Sequence, residues 1–382
     1  MKMITKSPNI NTFKTFASAL VICAVFAAFF AFGVSSLKAE TFEDDFFSYE
    51  QTVEEGRDMT VDNEIVYVQN DLRVEYGAEL TFNGDCYVED HIYVEEGGVL
   101  TINNELINAG HIYLEDGATL NINGNLINNG DVNNYGVINV YGTYVNYAIL
   151  NNYNTVFVNY DASIANTGDV CGNGVFKLSG DFENKGSYLA GPILNESELI
   201  NKGSILIEDT YISNMGTLKN SKDGRISLVK SSFFNGSTEA VLNNDGVFDS
   251  TNKSSIYNQG SVKVFENGHL SVLDFYNYSK VENSGVFEIS GAFDSKAGEL
   301  LNLGSLNNLG SMSFTYYSDF EQSKDSSYIG NMYECVYSYG AAAVFNGSVT
   351  GYVVVSLASI AATIVVIRIY LVEKAKNVSK ED

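Results

Sequence analysis

Glu75, Glu95 and Glu115 recur at one constant interval along the chain, with Glu96 and Asp116 beside the second and third of them. If the segments carrying them stack as strands, the carboxylates line up about 4.8 Å apart, where like charges repel unless a cation or solvent screens them. Calcium takes six to eight oxygen ligands of this kind, so Glu75, Glu95, Glu96, Glu115 and Asp116 form the candidate metal set. The competing reading is a solvated acidic face, since neither a Ca-binding nonapeptide nor an EF-hand loop occurs. His91 and His111 share the same interval, but two imidazoles alone fall short of the three or four ligands a zinc site needs, and no Cys joins them. They read as exposed, stacked side chains. No other cofactor is indicated.

The elements that would position these residues come from self-similarity. Residues 72–82 (LRVEYGAELTF), 92–102 (IYVEEGGVLTI) and 112–122 (IYLEDGATLNI) match without a gap, apolar on apolar and Gly on Gly. Each unit alternates apolar and polar residues, turns at Gly, and alternates again, which is strand patterning with period 2. Downstream the unit loosens, yet Asn-x-Gly triplets continue to punctuate it, among them those ending at Gly110, Gly130, Gly168, Gly203, Gly246 and Gly304. Asn and Gly both tolerate φ > 0, so the triplets are expected at sharp corners. An interval near 20 with three short strands predicts an all-β, right-handed parallel β-helix over residues 61–315, with inward apolar stacks and inward Asn forming amide ladders.

The stretch GATLNINGNLINNGDVNNYGVINVYG, residues 117–142, resembles the Asn/Gly-rich β-solenoid passages of adhesin-like surface proteins of bacteria and archaea. The resemblance covers residues 60–315 and is one of repeat style. It implies an extended, surface-displayed, non-catalytic stalk or binding module and carries over no particular residue.

The flanks read differently. Residues 1–39 hold Lys2, Lys6 and Lys14, then an uncharged run, then Lys38-Ala39, in the order of a secretory signal peptide. The run is long, so cleavage near Ala39 and retention as an anchor both stay open. Residues 40–60 are acidic and aperiodic and suit an N-terminal cap; residues 316–348 read as a C-terminal cap or stalk. Val349 to Ile367 is a nearly continuous apolar run without a charge, long enough for a transmembrane helix. Arg368, Lys374, Lys376 and Lys380 follow, which places a tail of residues 368–382 in the cytoplasm and the solenoid outside, a single-pass cell-membrane topology.

Charge narrows the function. The chain carries 47 acidic against 22 basic residues, and none of the basic ones lies between Val74 and Phe176. Nucleic acid is excluded as a partner, because phosphate contacts need Lys and Arg. A polysaccharide lyase on an anionic sugar is disfavoured by the same repulsion. No Ser-His-Asp order, HExxH or phosphate-cradling Gly loop is present, so the chain reads as no enzyme. The 25 Tyr offer stacking surfaces for neutral glycans, or are simply outward strand residues. The reading is therefore an adhesin-like or surface-structural protein whose partners are glycans or proteins of a host or neighbouring cell. A carbohydrate-active β-helix, lyase or glycan-binding, is the alternative, and a passive spacer a second. Cys86, Cys171 and Cys335 are too irregularly spaced for a disulfide framework. The expected outside region has five N-x-S/T sequons, at Asn195, Asn235, Asn252, Asn277 and Asn346, which are expected on exposed turns open to glycosylation.

Overall fold

The computed structural model describes residues 51–337, apart from Tyr316 and Met332, and the strands Tyr352–Ala358 and Ile364–Tyr370. The expected signal segment, residues 371–382 of the expected tail and residues 40–50 of the acidic cap lie outside the described residues.

From Gln51 to Tyr337 the chain is a parallel β-solenoid with three strands in each coil. Strands such as His91–Val94, Val99–Ile102 and Glu105–Asn108 make up one coil, and His111–Leu114 starts the next directly over the first. The third face is a continuous sheet of 14 parallel strands, about 60 Å along the stack at the usual strand spacing. The other two faces merge into one sheet, of 30 strands when Tyr352–Ala358 and Ile364–Tyr370 are included. They join where His269–Asn277 and Val286–Ser295 run around the corner without a break.

The coil is built from legs that combine a four-residue strand with a two-residue turn. Three such legs give an offset of 18 between stacked positions, as from Asn128 to Asn146. Where one corner is instead four residues long, as at Glu115-Asp116-Gly117-Ala118 between His111–Leu114 and Thr119–Ile122, the offset becomes 20, as from Asn108 to Asn128. The equivalent corner one coil earlier has Gly97 with φ 72°, directly over Gly77 at 65°. This mixture of corners explains why the repeat loosens downstream while the strands stay in register.

Alternation places residues 2 and 4 of most strands inside. Position 2 is apolar throughout, from Leu72, Ile92, Ile112 and Val132 to Leu300 and Leu306, all with exposure of 1% or less. Position 4 holds an aliphatic residue or Asn in most strands, with Phe82, Ser250 and Phe314 among the exceptions. Asn108, Asn128, Asn146, Asn166, Asn184, Asn201, Asn220 and Asn244 are stacked in successive coils of the third face and essentially inaccessible. Each Nδ2 donates to the Oδ1 of the next Asn at 2.7 to 2.9 Å. Most also donate to a backbone carbonyl of the following coil, as Asn146 does to the Asp169 oxygen at 3.2 Å. A second column runs Asn195, Asn214, Asn235, Asn258, Asn277 and ends on Ser295 Oγ.

The columns begin wherever the previous coil offers a hydrocarbon. Asn108 follows Val88, Asn134 follows Leu114, Asn195 follows Leu178, Asn283 follows Val264 and Asn308 follows Ile289. Each of these five first members has a buried Oδ1 without a hydrogen-bond partner. The donor direction is the same in every column, so the orphan always falls at its N-terminal end.

The Asn-x-Gly triplet thus has a different cause from the one expected. Its Asn is the inward ladder residue, and its Gly is at positive φ at none of Gly110, Gly130, Gly168, Gly203, Gly246 and Gly304. The glycine is required by contact: a Cβ on Gly110 or Gly130 would stand 1.8 to 2.0 Å from a carbonyl oxygen of the coil before.

The solenoid also overruns its expected limits. Gln51–Val53 and Asp58–Val61 already pair with Leu72–Val74 and Glu79–Phe82, so residues 51–60 belong to the first coil rather than to a separate cap. At the other end Asp319–Gln322, Ser327–Gly330 and Tyr333–Tyr337 continue all three faces. The aperiodic sequence there hid them, because Asp319–Gln322 has no fully buried position and only Phe320 packs partly against the core, beside its backbone pairing. Within the run expected to be a membrane helix, Tyr352–Ala358 and Ile364–Tyr370 are antiparallel strands, in keeping with the strand propensity of their Val and Ile. Among the described residues no helix is long and apolar enough to cross a membrane.

Two side-chain predictions follow from the interior. Val264 interrupts the column between Asn244 and Asn283, whereas Val262 on the same strand lies between Leu242 and Val281. Urea unfolding of Val264→Asn is expected to leave stability within about 1 kcal/mol of the parent, and Val262→Asn to lose about 3 kcal/mol or more, the cost of a buried unsatisfied amide. Tyr144 is fully buried, its hydroxyl has no partner and burial drives its pKa far up. Tyr188 is equally buried but donates to the Gly191 carbonyl at 3.1 Å. Tyr144→Phe should be neutral or stabilising and Tyr188→Phe should cost about 1 kcal/mol, both read from thermal unfolding.

Candidate functional site

Parallel stacking in register turns every outward position into a column, and three columns near the N-terminal end carry the chemistry. The first is acidic. Glu75, Glu95 and Glu115 stand at the first residue of the four-residue corner, one coil apart, as their constant interval requires. Their carboxylates point to different partners. Glu75 Oε2 accepts from the Glu55 backbone N–H at 2.9 Å and Glu115 Oε2 from that of Glu96 at 3.2 Å, while Glu95 faces Arg73 at 3.8 Å. Glu96, Glu115 and Asp116 do meet along one open groove, together with Tyr113 and Tyr135.

The second column is one sequence reasoning saw only in part. His91 and His111 stack with ring centroids 4.8 Å apart and planes 18° from parallel, as expected. The column has acids at both ends: His111 pairs in register with Asp131, and Asp71 occupies the matching place one coil before His91. His111 Nδ1 lies 3.2 Å from Asp131 Oδ2, and His91 Nδ1 lies 3.2 Å from Asp71 Oδ1 and pairs closely with Asp90 Oδ1. Ligand atoms of Asp71, Asp90 and His91 all fall within 4.8 Å of one another. Of the described residues, this is the group whose donors converge well enough to hold a metal ion. Two carboxylates around one ring nitrogen can be bridged by its N–H or by a divalent ion. An imidazole with two carboxylates suits first-row divalent metals, with water completing the shell on the open side. The signal was legible, since the interval linking His91 to His111 reaches Asp71 and Asp131 one step further each way.

The third column is aromatic. Tyr93, Tyr113, Tyr135 and Tyr153 follow one another at 6.3, 5.5 and 4.7 Å between ring centroids. Arg73 caps its lower end, 4.9 Å from the Tyr93 ring centroid. On another face Phe234, Tyr257 and Tyr276 stack at 5.1 and 4.9 Å. Partial burial, then the charge of Tyr135 and Glu115, hold the Tyr113 hydroxyl above its usual range. The groove therefore combines aromatic faces with negative charge and favours ligands that are neutral or cationic.

Other expected residues stay structural. Cys86 sits in the core between Val66 and Leu106, and burial pushes its thiol far up, which makes it unreactive. Cys171 is half-buried and free; the Cys335 side chain lies outside the description. Three of the sequon asparagines, Asn195, Asn235 and Asn277, are ladder residues with 0% exposure, which corrects the expectation that they lie on exposed turns. The signal was present in two of them, since Asn195 and Asn277 close an apolar–polar alternation at its inward position.

Compared with known protein families and with curated proteins, the chain matches none.

The two candidate ion sites are separable by experiment. Zinc added to the metal-free protein is expected to raise the thermal midpoint, and His91→Ala or Asp71→Asn to abolish the rise. A calcium-dependent rise is expected instead to survive His91→Ala and to shrink when Glu96, Glu115 and Asp116 are neutralised.

Proposed function

We propose that this chain is a membrane-anchored cell-surface protein, adhesin-like or surface-structural, whose extracellular part is a non-catalytic, right-handed parallel β-helix. The observation that carries the reading is the unbroken stack of coils from Gln51 to Tyr337, a one-dimensional structure whose outward columns repeat a chosen side chain at strand spacing. Such a rod holds a binding surface away from whatever it is fixed to. The right hand is that of nearly all parallel crossovers. Secretion rests on the basic, apolar and small-residue order of residues 1–39, and anchoring on the uncharged run from Val349 to Ile367 followed by Arg368 and three lysines. In lipid such a run becomes a helix, because the open edge of a two-stranded hairpin leaves backbone groups without partners.

The Tyr93–Tyr153 column supports a second reading within the same location, a glycan-binding β-helix. Aromatic rings at successive coils give a stacking surface parallel to the rod, and the surrounding acids select against anionic sugars. Calcium enters as a structural ion at the glutamate corner. The resemblance in repeat style to adhesin-like solenoids agrees with both readings.

Protease treatment of intact cells expressing the chain with a C-terminal tag tests the location. A membrane-protected tagged fragment of the size of the anchor and tail is expected, and recovery of intact protein from the soluble fraction would sink the proposal. Binding of the purified solenoid to a panel of neutral glycans tests the surface. Tyr113→Ala with Tyr135→Ala is expected to weaken any binding about tenfold or more, the combined effect of two stacking contacts worth about 0.5–1.5 kcal/mol each. Absence of binding to glycans and matrix proteins alike would leave a spacer.

A further inference from the structure

The four described sequons share a motif and occupy opposite environments. Asn195-Glu196-Ser197, Asn235-Gly236-Ser237 and Asn277-Tyr278-Ser279 place their asparagines in one interior column. Asn195 Nδ2 donates to Asn214 Oδ1 at 2.7 Å and to the Thr217 carbonyl at 3.2 Å. Asn235 Nδ2 donates to Asn258 Oδ1 at 2.8 Å and to the Ser261 carbonyl at 3.1 Å. Asn277 Nδ2 donates to Ser295 Oγ at 3.3 Å and to the Glu299 carbonyl at 3.2 Å. A sugar on any of these nitrogens replaces one of the donated hydrogens and fills space occupied by the next coil. Asn252-Lys253-Ser254 is the exception. Asn252 and Lys253 form an exposed corner, both in the left-handed region with φ of 50° and 67°, so a substituent on the Asn252 carboxamide has solvent to extend into.

We infer that Asn252 is the N-glycan acceptor of the described solenoid, and that the fold rejects the same modification at Asn195, Asn235 and Asn277. The ligand class is an oligosaccharide on a lipid pyrophosphate carrier. Asn252 Nδ2 forms a bond to the anomeric carbon, the carbon–oxygen bond to the pyrophosphate breaks, the lipid pyrophosphate leaves, and the nitrogen gives up one proton to the transferase. The order of events is fixed as well. Ser254 has 0% exposure and its Oγ lies against the Leu228 carbonyl at 3.1 Å and the Ser231 amide at 3.1 Å. A transferase that reads the sequon hydroxyl meets it only before this coil closes, so the sugar is added to the chain as it is exported. At that stage the three ladder sequons are open too, and a chain modified there cannot complete its column.

The inference rests on export, so the test supplies export independently. The full chain is expressed behind a secretion signal of a glycosylating eukaryotic cell, and folded, protease-resistant protein is recovered from the cell surface. Glycan release in heavy-oxygen water followed by peptide mapping marks each occupied asparagine. Occupancy at Asn252, its loss in Asn252→Gln, and none at Asn195, Asn235 or Asn277 are the expected result. A folded surface protein bearing sugar at any of those three, or lacking it at Asn252, overturns the inference. If sugar on the ladder traps the parent inside the cell, Ser197→Ala with Ser237→Ala and Ser279→Ala removes those three sequons while keeping every ladder amide. This variant must then reach the surface in higher yield and still carry its sugar at Asn252; failure on either count overturns the inference.

Discussion

A primary amide buried in hydrocarbon is destabilising unless its two hydrogens and its oxygen all find partners, and the solenoid meets that demand by repetition. Each inner ladder Asn receives a hydrogen from the coil before and gives one to the coil after, at 2.7 to 2.9 Å along eight successive members on one face. The arrangement works only if position 4 of every strand stacks on position 4 of its neighbours. A slip of one residue would turn the amide outward and an outward polar residue in. Short coils such as that from Asn128 to Asn146 and longer ones such as that from Asn220 to Asn244 are thereby held in one register, and differences in corner length are absorbed outside the column. The cost is confined to column ends, where a single Oδ1 faces an aliphatic side chain.

Register imposed from within orders the outside. Once the amides align, Tyr stands over Tyr, His over His and Glu over Glu without any attraction between them being needed. Some outward columns are stabilising, such as Lys202 and Lys185 on Glu183, whose carboxyl is held below its usual range mainly by the Lys202 hydrogen bond. Others carry strain in the form of repeated negative charge, and those are the places where a cation or a ligand with a positive group gains most. The convergence of Asp71, Asp90 and His91 and the tyrosine groove beside Glu115 are both consequences of stacking at the same end of the rod.

The architecture was largely legible in the sequence, because a gapless repeat with period-2 alternation over residues 72–122 specifies stacked parallel strands. The inward Asn ladder was legible for the same reason. The role of glycine was not: an Asn-x-Gly triplet at a corner suggests positive φ, and only the carbonyl of the coil beneath Gly110 shows that contact decides. The limits of the solenoid were also hidden, since Asp319–Gln322 buries no side chain fully and packs only Phe320 partly against the core. At the candidate sites, the interval located the glutamates and histidines but said nothing of direction. Glu75 turns back to a main-chain amide, and Asp90 reaches His91 from the adjoining corner, a contact between neighbours that no periodicity marks.

Hydrogen exchange of the asparagine side-chain amides, followed by nuclear magnetic resonance on the labelled solenoid, tests the ladder most directly. Nδ2 hydrogens of Asn128, Asn146, Asn166 and Asn184 should exchange as slowly as the backbone amides of their own strands, while those of the exposed Asn252 exchange within the dead time. Ladder amides that exchange as fast as Asn252 in an otherwise protected β-sheet would contradict the account.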